Sequence, residues 1–141
     1  MNIRIEIIPE KNLEIILPLI KQLNEDTSME ILSERLKEMI LQGYKCVGVW
    51  NEKNELIAAC GIWITTRFYS GKFIEPDNVV VHRDFRGLGI GEKMMEWVYD
   101  YGRKNECVFS ELNAYISNEK GHKFWFNEGF HVLGFHFRKT L

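Results

Sequence analysis

Glu75 and Asp77 stand two residues apart in the strand-like run Phe73 to Val81. Side chains alternate along a strand, so the two carboxylates share one face, an arrangement suited to moving protons. Pro76 between them has no N–H to give to a ladder and is a point of distortion. Just beyond the run comes Arg86-Gly87-Leu88-Gly89-Ile90-Gly91. Three glycines at alternate positions, between a strand and a helix, let the backbone pass close to a bulky group. The start of the helix then offers unpaired N–H groups and the positive end of its dipole, which together cradle phosphate. Farther along, Tyr115 carries a phenol that can give up a proton.

The apolar pattern marks out the elements that must hold these groups. Ile3, Ile5 and Ile7 alternate with Arg4 and Glu6, a strand with one buried face. Leu13, Ile16, Leu17, Ile20 and Leu23 recur at helical spacing, and Pro18 among them predicts a kink or two shorter pieces. Thr27-Ser28-Met29-Glu30 has the form of a capping box. It opens a helix with Met29, Leu32, Leu36, Met39 and Ile40 on one face, stopped at Gly43. Tyr44 to Trp50 and Leu56 to Thr65 are strand-like on either side of a turn at Asn51 to Glu55, and Ser70-Gly71 turns into the run from Phe73. Ile90, Met94, Trp97, Val98 and Tyr101 mark a helix after the glycines. Val108 to Tyr115 predicts a fifth strand, Asn118 to Glu128 a short helix closed by Gly129, and Phe130 to Arg138 a final strand. The order β-α-α-β-β-β-α-β-α-β is a mixed α/β sheet, antiparallel in its middle and parallel around the glycines.

A chain of 141 residues without repeats or an internal linker fits a single domain, 1–141. The formal net charge of −2, with no run of Lys and Arg, argues against nucleic acid as a partner. No apolar run approaches the roughly 20 residues of a membrane span, and the first eight residues read as a strand, not a signal peptide. A cytoplasmic protein is predicted. Cys46, Cys60 and Cys107 are odd in number and far apart, which suits reduced, buried thiols and no zinc site. His82, His122, His131 and His136 lack metal-ligand spacing, so no metal is expected.

Two familiar glycine loops do not fit. A Walker-type loop requires Gly-Lys-Ser/Thr, whereas Gly91 is followed by Glu92-Lys93-Met94. The dinucleotide fingerprint requires G-x-G-x-x-G in the first βαβ unit. The pattern from Arg86 to Gly91, after Val79-Val80-Val81, instead resembles the acyl-CoA signature of the GNAT superfamily of N-acetyltransferases. Asn118, then Phe124-Trp125, then Gly129-Phe130 resembles a second stretch of the same family. The two motifs span about residues 72–130.

That resemblance implies a fold in which strands four and five splay apart. It implies a CoA pyrophosphate on the turn formed by Arg86, Gly87, Leu88, Gly89, Ile90, Gly91 and Glu92, and pantetheine pairing with Val79, Val80 and Val81. Asn118 and Trp125 are further expected cofactor contacts. The implied donor is acetyl-CoA and the implied acceptor a primary amine of a small molecule or protein, attacking directly in a ternary complex. Glu75 falls where the histone-acetylating branch keeps a glutamate, and Asp77 where the glucosamine-phosphate branch has an acidic residue. A strand-four N–H near Val80 is expected to stabilise the oxyanion.

The sequence also departs from the family. Trp125 stands where the family has a tyrosine acid, and an indole N–H only donates a hydrogen bond. Tyr115 is a substitute acid, unless the thiol leaves as thiolate. Asn113 occupies the position of a base glutamate in the ribosomal-protein-acetylating branch. These departures keep open a second reading, a non-catalytic acyl-CoA-binding regulatory module. Trp63, Phe68, Tyr69 and Phe73 are placed to flank an acceptor, and Glu25, Asp26 and Glu30 to add negative charge for a cationic amine. Eleven residues follow Phe130, so six main strands are expected, with an open edge that favours a homodimer.

Overall fold

The computed structural model describes residues 1–141, which divide into two compact units, Met1–Glu111 and Leu112–Leu141. In the first, five strands lie side by side in chain order: β1 (Arg4–Ile7), β2 (Lys45–Trp50), β3 (Leu56–Arg67), β4 (Gly71–Val81) and β5 (Phe109–Ser110). The first four are antiparallel neighbours, and β5 runs parallel to β4.

Between β1 and β2 come a 3₁₀ segment (Glu10–Ile16), α1 (Leu17–Leu23) and α2 (Met29–Leu41). The two pieces predicted from Pro18 are present. The proline sits in the first turn of α1, where a missing N–H breaks no helical bond, and the chain ahead of it winds more tightly. The cap of α2 is one residue later than the capping box suggested: Ser28 Oγ accepts from Ile31 N–H at 3.2 Å. These helices bury Leu13, Ile16, Leu19, Ile20, Leu32 and Leu36 against Tyr44, Cys46, Ala59 and Val80 in one core.

The helix after the glycines, α3 (Ile90–Lys104), covers the other face of the sheet. Gly102 lets it approach β4 so closely that a Cβ there would lie 2.9 Å from Ile74 Cγ2. Its own Met94, Met95 and Val98 are fully buried. Cys46 and Cys60 are buried in the sheet, and burial pushes the Cys46 thiol up to about 12 and the Cys60 thiol in the same direction. Both behave as small apolar residues.

In the second unit, α4 (Glu119–Asn127) is capped by Asn118, whose Oδ1 accepts from Gly121 N–H at 3.0 Å. Trp125 meets Phe124 and Phe130 edge-on, at centroid distances of 4.9 and 5.3 Å.

Two expectations are corrected. The fifth strand, expected from Val108 to Tyr115, is the two-residue β5, and no strand forms from Phe130 to Arg138, so the sheet has five strands and not six. A strand exists only where a neighbour takes its N–H and C=O groups. The β5 ladder covers Phe73 with Phe109 and Ile74 with Ser110 and then stops, while residues 130–141 join no ladder despite their apolar content.

Candidate active site

Along β4 the partners in β3 run from Arg67 opposite Gly71 to Ala58 opposite Val81. The ladder slips once. Asp77 lies opposite Gly61 and Val80 opposite Ala59, so Cys60 alone faces both Asn78 and Val79. This is a β-bulge, and Asn78 adopts φ +52 within it. Asparagine is among the few residues that enter this left-handed region readily.

The bulge resets the alternation of side chains. Phe73, Glu75 and Asp77 lie on one face, as their spacing predicts. The extra residue then passes that face to Val80, which joins the core under α1 and α2, and turns Val79 away from it. The same slip sorts the backbone donors. His82 N–H donates to Ile57 O at 2.7 Å, which fixes the phase of the ladder. In that phase Val80 N–H is directed at Ala59 in β3, and Val81 N–H at the opposite edge.

That opposite edge is only partly covered. Val108 N–H donates to Lys72 O at 2.8 Å and Glu111 N–H to Ile74 O at 3.2 Å. From Glu75 to Val81, β4 pairs with no strand on this side within the first unit.

Around the carboxylates, Glu75 lies opposite Trp63. The Trp63 indole N–H donates to Asp77 Oδ2 at 2.9 Å. The Tyr44 ring meets the Trp63 ring at 5.2 Å, and the Tyr44 hydroxyl approaches Asn78 Oδ1 at 3.5 Å. Burial first, then the nearby Cys46, Asp77 and Cys60, raise the Tyr44 phenol well above its ordinary range, so it stays protonated. Arg67 folds back so that its guanidinium lies 4.6 Å from the centre of the Phe73 ring. It donates to the Tyr69 hydroxyl at 3.0 Å, and this bond is the main cause of a raised pKa, with Glu111 and Glu75 adding to it. Phe68 and Tyr69 are exposed at the tip of the β3–β4 hairpin.

Beyond β4, a short 3₁₀ turn (Arg83–Phe85) leads into the glycines. Gly87 and Gly89 take φ +76 and +77, and a Cβ on Gly87 would meet nothing within 4 Å. The sign of φ, not crowding, requires glycine here. Gly89 is the N-cap of α3, and no side chain caps that helix, so the amides at its start, including those of Gly91 and Glu92, point away unpaired by a cap. Arg86 Nε–H donates to Val81 O at 3.1 Å and ties the turn to the end of β4. Leu88 is exposed and Ile90 buried. A concavity of about 500 Å³ borders this end of the strand, lined by Pro18, Leu19, Gln22, Leu56, His82 and Arg83 among others.

Of the residues singled out in the second unit, Tyr115 is exposed, with His122 Nε2 2.7 Å from its carbonyl oxygen. Asn118 and Trp125 are engaged in the cap and the aromatic cluster already described. The sequence reading missed Asn78, Tyr44 and Gly61, and took Trp63 only as one of the aromatic residues flanking an acceptor. The signal available was Asp-Asn directly after Pro76, a turn-like pair inside an apolar run.

The profile described as the acetyltransferase (GNAT) family matches residues 15–130. Over 125 residues the chain is 21% identical to the uncharacterized N-acetyltransferase YhdJ of Bacillus subtilis (strain 168), covering 88% of each. An aminoglycoside antibiotic 6'-N-acetyltransferase from Acinetobacter baumannii superposes with a TM-score of 0.82 at 18% identity over 99% of both chains. The enzyme AAC(6')-Iy, solved with the bisubstrate analogue CoA-S-monomethyl-acetylneamine, superposes with a TM-score of 0.83 at 18% identity over 100% of both. At such identities the two structures establish a shared fold.

Proposed function

The chain belongs to the GNAT acetyltransferase family, and we propose that it transfers the acetyl group of acetyl-CoA to a primary amine by direct attack in a ternary complex. One observation carries this reading: beyond Ile74, where β5 ends, β4 runs from Pro76 to Val81 with no strand on its outer side within its unit, and it leads into a glycine turn whose helix has no side-chain cap. The two amides of a pantetheine arm suit such an edge, and a pyrophosphate suits such a helix start. Val79, Val80 and Val81 would line the first, and the amides from Gly87 to Glu92 the second. Arg86, bonded through Nε, keeps the rest of its guanidinium for phosphate oxygens.

The oxyanion role falls to N–H groups at and after the bulge, Val79 and Val81, rather than to Val80, whose N–H is directed into β3. Donors fixed in a strand need no reorganisation as charge develops on the carbonyl oxygen. Asp77 directly precedes the bulge, and it takes the proton of the incoming ammonium, directly or through a water, with Glu75 beside it on the same face. The amine nitrogen then bonds to the acetyl carbon, the carbon–sulfur bond breaks, and the second proton leaving nitrogen goes to the departing thiolate or to water. A thiolate is a good enough leaving group that no protein acid is required. Two carboxylates and the Trp63 ring favour a small cationic amine as acceptor, the class to which the substrates of the aminoglycoside-acetylating neighbour belong.

Isothermal titration with acetyl-CoA and CoA, followed by thiol release across an amine panel, tests the proposal. Micromolar binding and turnover are expected, with Asp77→Asn lowering kcat by about 10²–10³-fold. Absence of CoA binding overturns it, and binding with no turnover on any amine turns the reading to the non-catalytic module.

A further inference from the structure

We infer that Trp63 is a positioning residue for Asp77, holding one carboxylate oxygen so that the other meets the amine. The inference rests on the reaction proposed above and concerns how its base is kept in place. An aspartate beside a bulge sits where the strand is least regular, and a base must hold its lone pair within a few tenths of an ångström of the proton it takes.

Trp63 supplies that constraint from the neighbouring strand. It does not lie opposite Asp77: its partner is Glu75, and Asp77 faces Gly61. The indole therefore reaches diagonally, one strand period along the ladder, to bring its N–H to Asp77 Oδ2 at 2.9 Å. An indole N–H donates and cannot accept, so it fixes the carboxylate without competing for the proton to be removed.

The indole is itself held. Gly61 leaves the space opposite Asp77 empty of a side chain, and the Tyr44 phenol fills it. A Cβ on Gly61 would lie 2.5 Å from the Tyr44 hydroxyl oxygen and 2.8 Å from Asp77 O. From there the Tyr44 ring packs on Trp63 with an interplanar angle of 58°, while its hydroxyl reaches the Asn78 side chain. The buried Tyr44 and half-buried Trp63 thus contact the residues on either side of the bulge's start, Asp77 through Trp63 and Asn78 through Tyr44.

A double-mutant cycle separates positioning from general support. Trp63→Phe keeps the ring and removes the donor; kcat is expected to fall about tenfold, with the KM for acetyl-CoA and the Tm unchanged. In an Asp77→Asn background, where no base remains to be positioned, Trp63→Phe is expected to change kcat no further. Wild-type kcat in Trp63→Phe, effects that multiply in the double variant, or a loss that follows Tm each overturns the inference. An independent readout addresses the contact itself. The Trp63 indole N–H signal, assigned among the four tryptophans by its absence in Trp63→Phe, should shift in Asp77→Ala, and an unmoved signal also overturns the inference. If instead Glu75→Gln abolishes turnover and Asp77→Asn spares it, the enzyme reading stands and the positioning inference falls. If the wild type binds no CoA, the reaction reading falls first.

Discussion

The two ends of β4 make opposite use of one strand. Over Lys72–Ile74 it is bonded on both edges, and Phe73 and Ile74 are 1% and 2% exposed, one against each face of the sheet. Over Glu75–Val81 it keeps β3 but has no strand on its other edge, and it carries a proline, a left-handed asparagine and two carboxylates. The first end is regular because burial of large apolar side chains specifies it. The second is irregular because β3 holds one side firmly enough to tolerate the bulge and the unpaired edge. An unpaired, partly buried N–H or C=O costs free energy comparable to a lost hydrogen bond. Apolar packing at the other end of the strand offsets that cost, and the unsatisfied groups are those a ligand with amides can satisfy.

Substitutions at the two ends should therefore separate stability from turnover. Phe73→Ala is expected to have the largest effect on stability, a loss of about 3–5 kcal/mol in urea unfolding, with kcat per folded molecule retained. A kcat that fell beyond the folded fraction would break the division between the ends. Gly61→Ala comes next. Its Cβ would press on the Tyr44 hydroxyl and the Asp77 carbonyl, and overpacking of this kind costs about 1–3 kcal/mol. Unlike Phe73→Ala, it should also lower kcat in thiol-release assays, because the pressure falls on the bulge. Asn78 gives the smallest effect. Asn78→Gly relieves the left-handed strain and should leave the unfolding midpoint nearly unchanged, while Asn78→Val should cost about 1–2 kcal/mol. Equal stability of the two variants would mean that the bulge relaxes when challenged.

The parts of the fold legible in sequence are those decided by local chemistry. Pro18 announced the break ahead of α1, Gly87 and Gly89 the left-handed turn, and the apolar face from Ile90 to Tyr101 the helix that follows. What escaped was decided by partners. Whether Val108 to Tyr115 or Phe130 to Arg138 becomes a strand depends on a neighbouring edge, which periodicity within the segment does not report. The bulge escaped for a related reason: it is a mismatch in count between β3 and β4, and neither run contains it alone. Glu75 and Asp77 share one face as their spacing predicts, and the bulge at Asn78 then breaks the alternation before Val79. Asn118 was singled out for a ligand, and the cap it gives to α4 is a local role for the same side chain.

The sheet order repeats the chain order, and this bears on how the protein assembles. Only Phe68, Tyr69 and Ser70 separate β3 from β4. Closing so short a loop loses little chain entropy, and hairpins of this kind form in about 1–10 μs. The bulged ladder can therefore form from one contiguous stretch of chain. β5 can dock only after the turn and the fifteen residues of α3 have been laid down, and then it covers just the first residues of β4. The long-range step in folding thus finishes the anchored end, and the order of assembly leaves the other end of the strand open.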